Sequence, residues 1–148
     1  MNAHKTSTAS HLNRGAGVAA IFAAGLLHAF ITPQYVKEKL YIGTSFAISF
    51  VLCTIVAAWL WSRPSRNAWI AGALLTGGMI VGFLLSRTIG LPGFNESGVW
   101  DHWKEGFPAL AAELGFLALA IRPILTHTVH APDTTRSDVT GNREFVSR

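Results

Sequence analysis

Apolar residues fill four long blocks of this chain, approximately 15–31, 41–61, 68–85 and 107–121, and polar residues are pushed into the intervals between them. A soluble amphipathic helix would return a Lys or Glu to its outward face every turn or so. Here the intervals 15–27, 40–62 and 67–86 contain no Asp, Glu, Lys, Arg or His at all. Each block approaches the roughly 20 apolar residues that carry a helix across a bilayer. The pattern predicts an all-α fold, a left-handed four-transmembrane-helix bundle over residues 15–125. Two tails, 1–14 and 126–148, are rich in Ser, Thr, Asp and Arg without apolar period. Both are expected to be disordered and cytoplasmic.

Composition and charge refine this picture. Half of the residues are hydrophobic and only 14% are charged, against about 25% in soluble proteins. The sequence pI of about 9.7 does not point to nucleic acid, because the basic residues form no stripe and no aromatic-interleaved patch. Eight of the twelve Lys and Arg residues fall on one predicted side (Lys5, Arg14, Arg63, Arg66, Arg122, Arg136, Arg143 and Arg148) and four on the other (Lys37, Lys39, Arg87 and Lys104). The positive-inside rule then places both termini in the cytoplasm of a multi-pass protein of the plasma membrane, N-in and C-in. Residues 62–66, with Pro64, read as an inner turn, and 32–40, starting at Pro33, as an outer one. Trp59, Trp61 and Trp69 are expected as anchors at the inner interface, and Tyr35, Tyr41, Trp100 and Trp103 at the outer one. Removal of the first block as a signal peptide is disfavoured by Leu27-His28-Ala29, a poor cleavage site.

Small residues suggest how the helices pack. Ala16, Ala20, Ala24, His28 and Thr32 recur every fourth position and share one face. Gly78 and Gly82 form a G-x-x-x-G in the third block, a spacing that lets backbones approach closely within the bundle or in a homodimer. The lone Cys53 can form no intramolecular disulfide and reads as a small apolar side chain. His127-x-x-His130 lies on the tail and reads as chance rather than a metal site.

Two ionisable residues stand inside the blocks, and this is where chemistry is expected. His28 and Glu113 sit roughly 5–10 Å below the outer surface at the helical rise per residue, and Arg87 closes the third helix on the same side. An ionised group in hydrocarbon costs roughly 2.5–3.5 kcal/mol, so such residues face the bundle and find partners. The three are expected to converge on a pocket open to the outside, where they either lock helix register or serve a ligand, ion or proton.

The long outer connection, 87–106, adds to that pocket. Leu91-Pro92-Gly93 fits a type II turn. Trp100, Trp103 and Phe107 follow i, i+3, i+7 spacing and predict a short interfacial helix. Asp101 and His102 on it are further pocket candidates, whether the connection is a lid or an anchoring collar. Asn95-Glu96-Ser97 matches a glycosylation sequon only weakly. His28, His102 and Glu113 are candidate metal ligands, because His plus carboxylate suits zinc, iron or copper. No diagnostic spacing such as H-E-x-x-H is present, so the cofactor stays unassigned. No G-x-S-x-G nucleophile element occurs either.

The stretch Ser86-Arg87-Thr88-Ile89-Gly90-Leu91-Pro92-Gly93, the Trp100 region, Glu113 and the pairing of His28 with a following Pro33 resemble small four-helix membrane proteins of actinobacterial type. The resemblance spans roughly residues 15–125 and implies the same topology and pocket residues, with no activity attached. Two function classes follow. The leading one is an accessory or ligand- and partner-binding membrane subunit, with the lipid bilayer, another membrane protein or a second copy as partner. The alternative is a small membrane enzyme or permease element that uses His28 and Glu113 for proton or metal chemistry.

Overall fold

The computed structural model describes residues 3–94 and 103–126, with side-chain surroundings for 11–94 and 106–126. Within them the chain is helical: α1 (Ala3–Glu38), α2 (Leu40–Ser62), α3 (Arg66–Thr88) and α4 (Trp103–Thr126). All four carry segments long and apolar enough to cross a membrane. At about 1.5 Å per residue, the 23 residues of α2 measure roughly 35 Å, enough for the ~30 Å hydrocarbon layer.

Helix boundaries differ from the sequence expectation at three places. The first helix reaches back to Ala3 rather than starting near residue 15. Extending an existing helix fixes one residue per added hydrogen bond and needs no new nucleus, so a Thr- and Ser-rich stretch can follow. The outer turn expected over 32–40 shrinks to the single residue Lys39, and α1 runs straight through Pro33. A proline removes one intrahelical donor, but packing holds the next turn in place: Tyr35 is buried, edge-on to Phe46 at 4.9 Å and to Phe94 at 5.9 Å. Lys39 is extended (φ −149°, ψ 112°), and its carbonyl accepts from Ile42 and Gly43, so the chain reverses within one residue. Finally, Trp103 begins α4, which continues unbroken through Phe107, so that part of the predicted interfacial helix belongs to the fourth span. Trp100 lies outside the described residues.

The 62–66 connection behaves as predicted, and the long 87–106 connection is described as far as its turn at Phe94. Pro64 lies in the turn between α2 and α3, and Ser65 caps α3 by accepting from the Ala68 amide at 3.3 Å. At the far end of α3, Gly90 takes φ 79° and its amide bonds Leu85 O, a left-handed stop that glycine adopts without strain. Gly93 takes φ 65° in the turn that pairs Leu91 with Phe94 through two backbone hydrogen bonds of 2.7 and 2.8 Å.

Packing is tight near the Pro64 end and loose near Lys39. The core at the tight end joins Ile21, Leu60, Trp69, Phe116 and Ala120, all nearly inaccessible, with Ala20 packed against it. Trp69, expected as an interfacial anchor, is a core residue, 3% exposed and stacked on Phe116 at 5.5 Å. Two glycines make room for it: a methyl group at Gly17 would run into the Trp69 ring, and one at Gly72 into the Phe116 ring. Trp59 and Trp61 remain exposed, as anchors would. Gly78 and Gly82 make no close helix contact within the described bundle, since a methyl group on either would meet nothing within 4 Å. Close approach falls instead to Gly17, Gly25, Gly43 and Gly72. This contrast predicts that Gly72→Val costs about 1–3 kcal/mol by overpacking. Thermal unfolding in detergent checks it, with Gly77→Val, where nothing stands within 4 Å, as the mild control.

Candidate functional site

Looseness at the Lys39 end leaves a cavity of about 520 Å³ among all four helices, roofed by Leu91 and Phe94. That volume lies within the range of about 300–1,000 Å³ typical of small-molecule pockets. His28, Arg87 and Glu113, chosen from the sequence as expensive intramembrane residues, all line it. Ala24 and His28 lie on the buried face of α1, Arg87 and Ser86 are buried on the last turn of α3, and Glu113 is buried on α4. Gly78 and Gly82 line the cavity too, so the missing side chains contribute space rather than contact.

The polar wall has a defined geometry. His28 Nδ1 lies 2.8 Å from the carbonyl oxygen of Ala24, one turn back on α1. A carbonyl can only accept, so Nδ1 carries a proton, and Nε2 is the nitrogen presented to Glu113. Nε2 and Glu113 Oε1 are 3.7 Å apart, with side chains 8% and 4% exposed. The distance brings two titratable groups together without a direct hydrogen bond, which needs about 2.7–3.2 Å. Two arrangements keep the pair neutral overall, imidazole with carboxylic acid or imidazolium with carboxylate, and they differ only in where one proton sits. Phe46 closes one side of the imidazole, edge-on at 5.2 Å. Arg87 lies over the Phe83 ring at 5.6 Å, which holds its guanidinium at the cavity wall. Among the described residues, no hydrogen bond reaches the Glu113 carboxyl group.

Because α1 runs on to Glu38 and α4 begins at Trp103, His28 and Glu113 each lie ten residues from the helix end, about 15 Å along the axis. The remaining walls are apolar, including Ile31, Leu75, Met79 and Leu110. Tyr41 holds the roof through its hydroxyl, which donates to Pro92 O at 2.9 Å. Sequence reasoning missed Tyr41 and Phe46 as pocket residues, since an aromatic in an apolar block carries no mark that separates cavity wall from lipid face.

Two further candidates, Asp101 and His102, lie outside the described residues, as do Asn95-Glu96-Ser97 and His127 and His130. Among the described residues no group of three potential metal ligands comes together. The candidate set His28, His102 and Glu113 therefore contributes two ligands of known position. Cys53 is buried beside Gly25, where it packs as a small apolar group.

No protein-family model matches this chain, and no curated protein and no solved structure matches it. Its class rests on the fold: a bundle of four helices able to cross a membrane, tightly packed at one end and hollow at the other.

Proposed function

We propose that this chain is a multi-pass protein of the plasma membrane, with both termini in the cytoplasm, that binds a small ligand in the cavity beneath the 91–94 turn. The observation that carries this reading is the His28–Glu113 pair, two buried side chains 3.7 Å apart on the wall of a cavity of about 520 Å³. At 3.7 Å the two do not hydrogen-bond each other directly, so a hydroxyl group or water inside the cavity can bond both. Binding energy would come from the apolar walls, and orientation from the His28–Glu113 pair and Arg87, the usual division in small-molecule sites. A role as accessory subunit, with another membrane protein or a second copy alongside, is compatible with this site.

Native mass spectrometry of the protein released from mild detergent tests the reading. The expected result is a bound small molecule in the wild type that is lost in Glu113→Leu, with helicity retained. A bare wild-type mass across several lipid extracts would overturn it. The His28–Glu113 contact also favours a second reading, proton transfer, because one proton moves between its two neutral arrangements. Proton flux into dye-loaded vesicles that vanishes in His28→Ala would select that reading instead.

Orientation has its own test. Arg14 lies over Trp61 at 5.7 Å, and Arg66 Nε donates to Ile124 O at 3.1 Å, so basic residues from α1 and α3 gather at the Pro64 end. The positive-inside rule supports a cytoplasmic setting for that end. Cysteine introduced at Asn95 should be labelled from outside the cell and cysteine at Ser65 spared, with little background from buried Cys53. The reverse pattern would overturn the topology.

A further inference from the structure

The cavity is not closed on its side. Of its lining residues, those that are exposed are Tyr41, Ser45, Leu74 and Gly78, two from α2 and two from α3. These helices are consecutive in the chain, yet of the well-packed pairs theirs is the sparsest contact. Tyr41, Ser45 and Ser49 follow at four-residue spacing along one face of α2, as Leu74, Gly78 and Gly82 do along α3, and all six line the cavity. A side chain added at Gly78 or Gly82 would enter open space. The result is a slot between α2 and α3 that runs down the flank of the bundle, where a membrane-spanning helix pair meets lipid rather than water.

We infer that the ligand enters from the bilayer through this slot and is a single-chain amphiphile with a small neutral head bearing a hydroxyl group. The inference rests on the binding reading above and specifies its ligand. Three observations carry it. First, the slot edges ask little of a passing hydrocarbon chain: Ser45 Oγ already donates to Tyr41 O at 2.7 Å, so its proton is spent within the helix. Second, a volume of about 520 Å³ is that of a small-molecule pocket, a scale that suits one chain laid along the apolar wall of Leu75, Met79 and Leu110. Third, the polar wall of the cavity holds the His28–Glu113 pair, 3.7 Å apart, 8% and 4% exposed and neutral as a pair, while the Arg87 guanidinium on that wall lies over the Phe83 ring. A hydroxyl oxygen beside that pair can donate to the carboxylate and accept from the imidazolium in the same position, which an alkane cannot do and a carboxylate head does only in part.

The full chain reconstituted in phospholipid nanodiscs, with a photoactivatable palmityl alcohol supplied in the lipid phase, provides the test. The expected result is crosslinking both at the slot, on Ser49 or Gly82, and beside His28 and Glu113. Gly78→Trp, which fills open space, should slow labelling beside His28 about tenfold or more at unchanged unfolding temperature, and Gly82→Leu should repeat the effect. Unlabelled palmityl alcohol should compete about tenfold better than the alkane of equal length, the worth of roughly one hydrogen bond. If labelling beside His28 persists in both slot variants but falls in Leu91→Trp, the ligand enters under the 91–94 turn. The lateral route is then overturned while the binding reading stands. Equal competition by the alkane overturns the hydroxyl head. No labelling beside His28 in the wild type overturns the amphiphile, and a ligand of another class in the mass spectrum would show that the binding reading survives it.

Discussion

Gly43→Ala is expected to unfold the corner between α1 and α2, with a loss of about 3 kcal/mol or more, at the upper end of overpacking penalties. The added methyl group would lie 2.6 Å from the Cα of Val36 and nearer still to its amide nitrogen, so no rotamer change can relieve the contact. Gly43 sits three residues into α2, just after a chain reversal made by Lys39 alone, and its own amide bonds the Lys39 carbonyl at 3.1 Å. Moving α2 outward would break that bond and pull Tyr35 and Phe46 out of their edge-on contact. Both rings line the cavity, so ligand binding should fall with stability. Gly78→Ala provides the contrast. Nothing stands within 4 Å of its added methyl group, and alanine in a helix interior gains about 0.5–1 kcal/mol over glycine. Unfolding in detergent mixtures, followed by tryptophan fluorescence, should therefore order the proteins Gly78→Ala at or above wild type and Gly43→Ala far below. A wild-type midpoint for Gly43→Ala would show that the corner is not the close contact described here.

That pair of glycines also shows how far the chain could be read without coordinates. The four spans were legible because lipid permits no polar face, so missing charge over 40–62 and 67–86 marks α2 and α3 almost to the residue. His28, Arg87 and Glu113 were legible by the same physics, since residues costly in hydrocarbon turn toward the bundle, and all three line one cavity. Small residues carry no such sign. Gly78 and Gly82 have the spacing of a packing motif yet border empty space, whereas Gly17, Gly25 and Gly72, with no such pattern, admit Trp69, Cys53 and Phe116. Whether a glycine accommodates a neighbour or leaves a void depends on the facing helix, which its own sequence does not encode. Trp69 misleads for a related reason. Tryptophan favours headgroups when a polar neighbourhood is the alternative to lipid, but a core that vacates space at Gly17 and Gly72 outcompetes both. Pro33 likewise signals a helix end only where nothing packs on the turn beyond it, and Tyr35 packs there.

Replacing both His28 and Glu113 by leucine should leave the protein more stable than replacing either alone. In His28→Leu the buried Glu113 carboxyl group loses the imidazole 3.7 Å away and keeps no hydrogen bond among the described residues. The lost contact is worth about 0.6 kcal/mol, the average for polar pairs inside membrane bundles. In Glu113→Leu, Nε2 of His28 loses its acidic neighbour while Nδ1 keeps its bond to Ala24 O, so the loss should be the smaller of the two. The double variant leaves neither member of the pair to be satisfied, and two leucines add apolar volume beside a cavity of about 520 Å³. Buried ion pairs replaced by apolar residues of similar size often give neutral or improved stability, by up to about 4 kcal/mol. Polar pairs inside membrane bundles couple by about 0.6 kcal/mol on average and reach roughly 1.7, and the 3.7 Å gap argues for the lower half of that range. The expected order of unfolding free energies is therefore His28→Leu lowest, Glu113→Leu next, and the double variant at or above wild type. Ligand retention should be lost in all three, which separates binding from stability. Effects that add to within about 0.3–0.5 kcal/mol, the behaviour of independent sites, would mean that the two side chains do not act on one another.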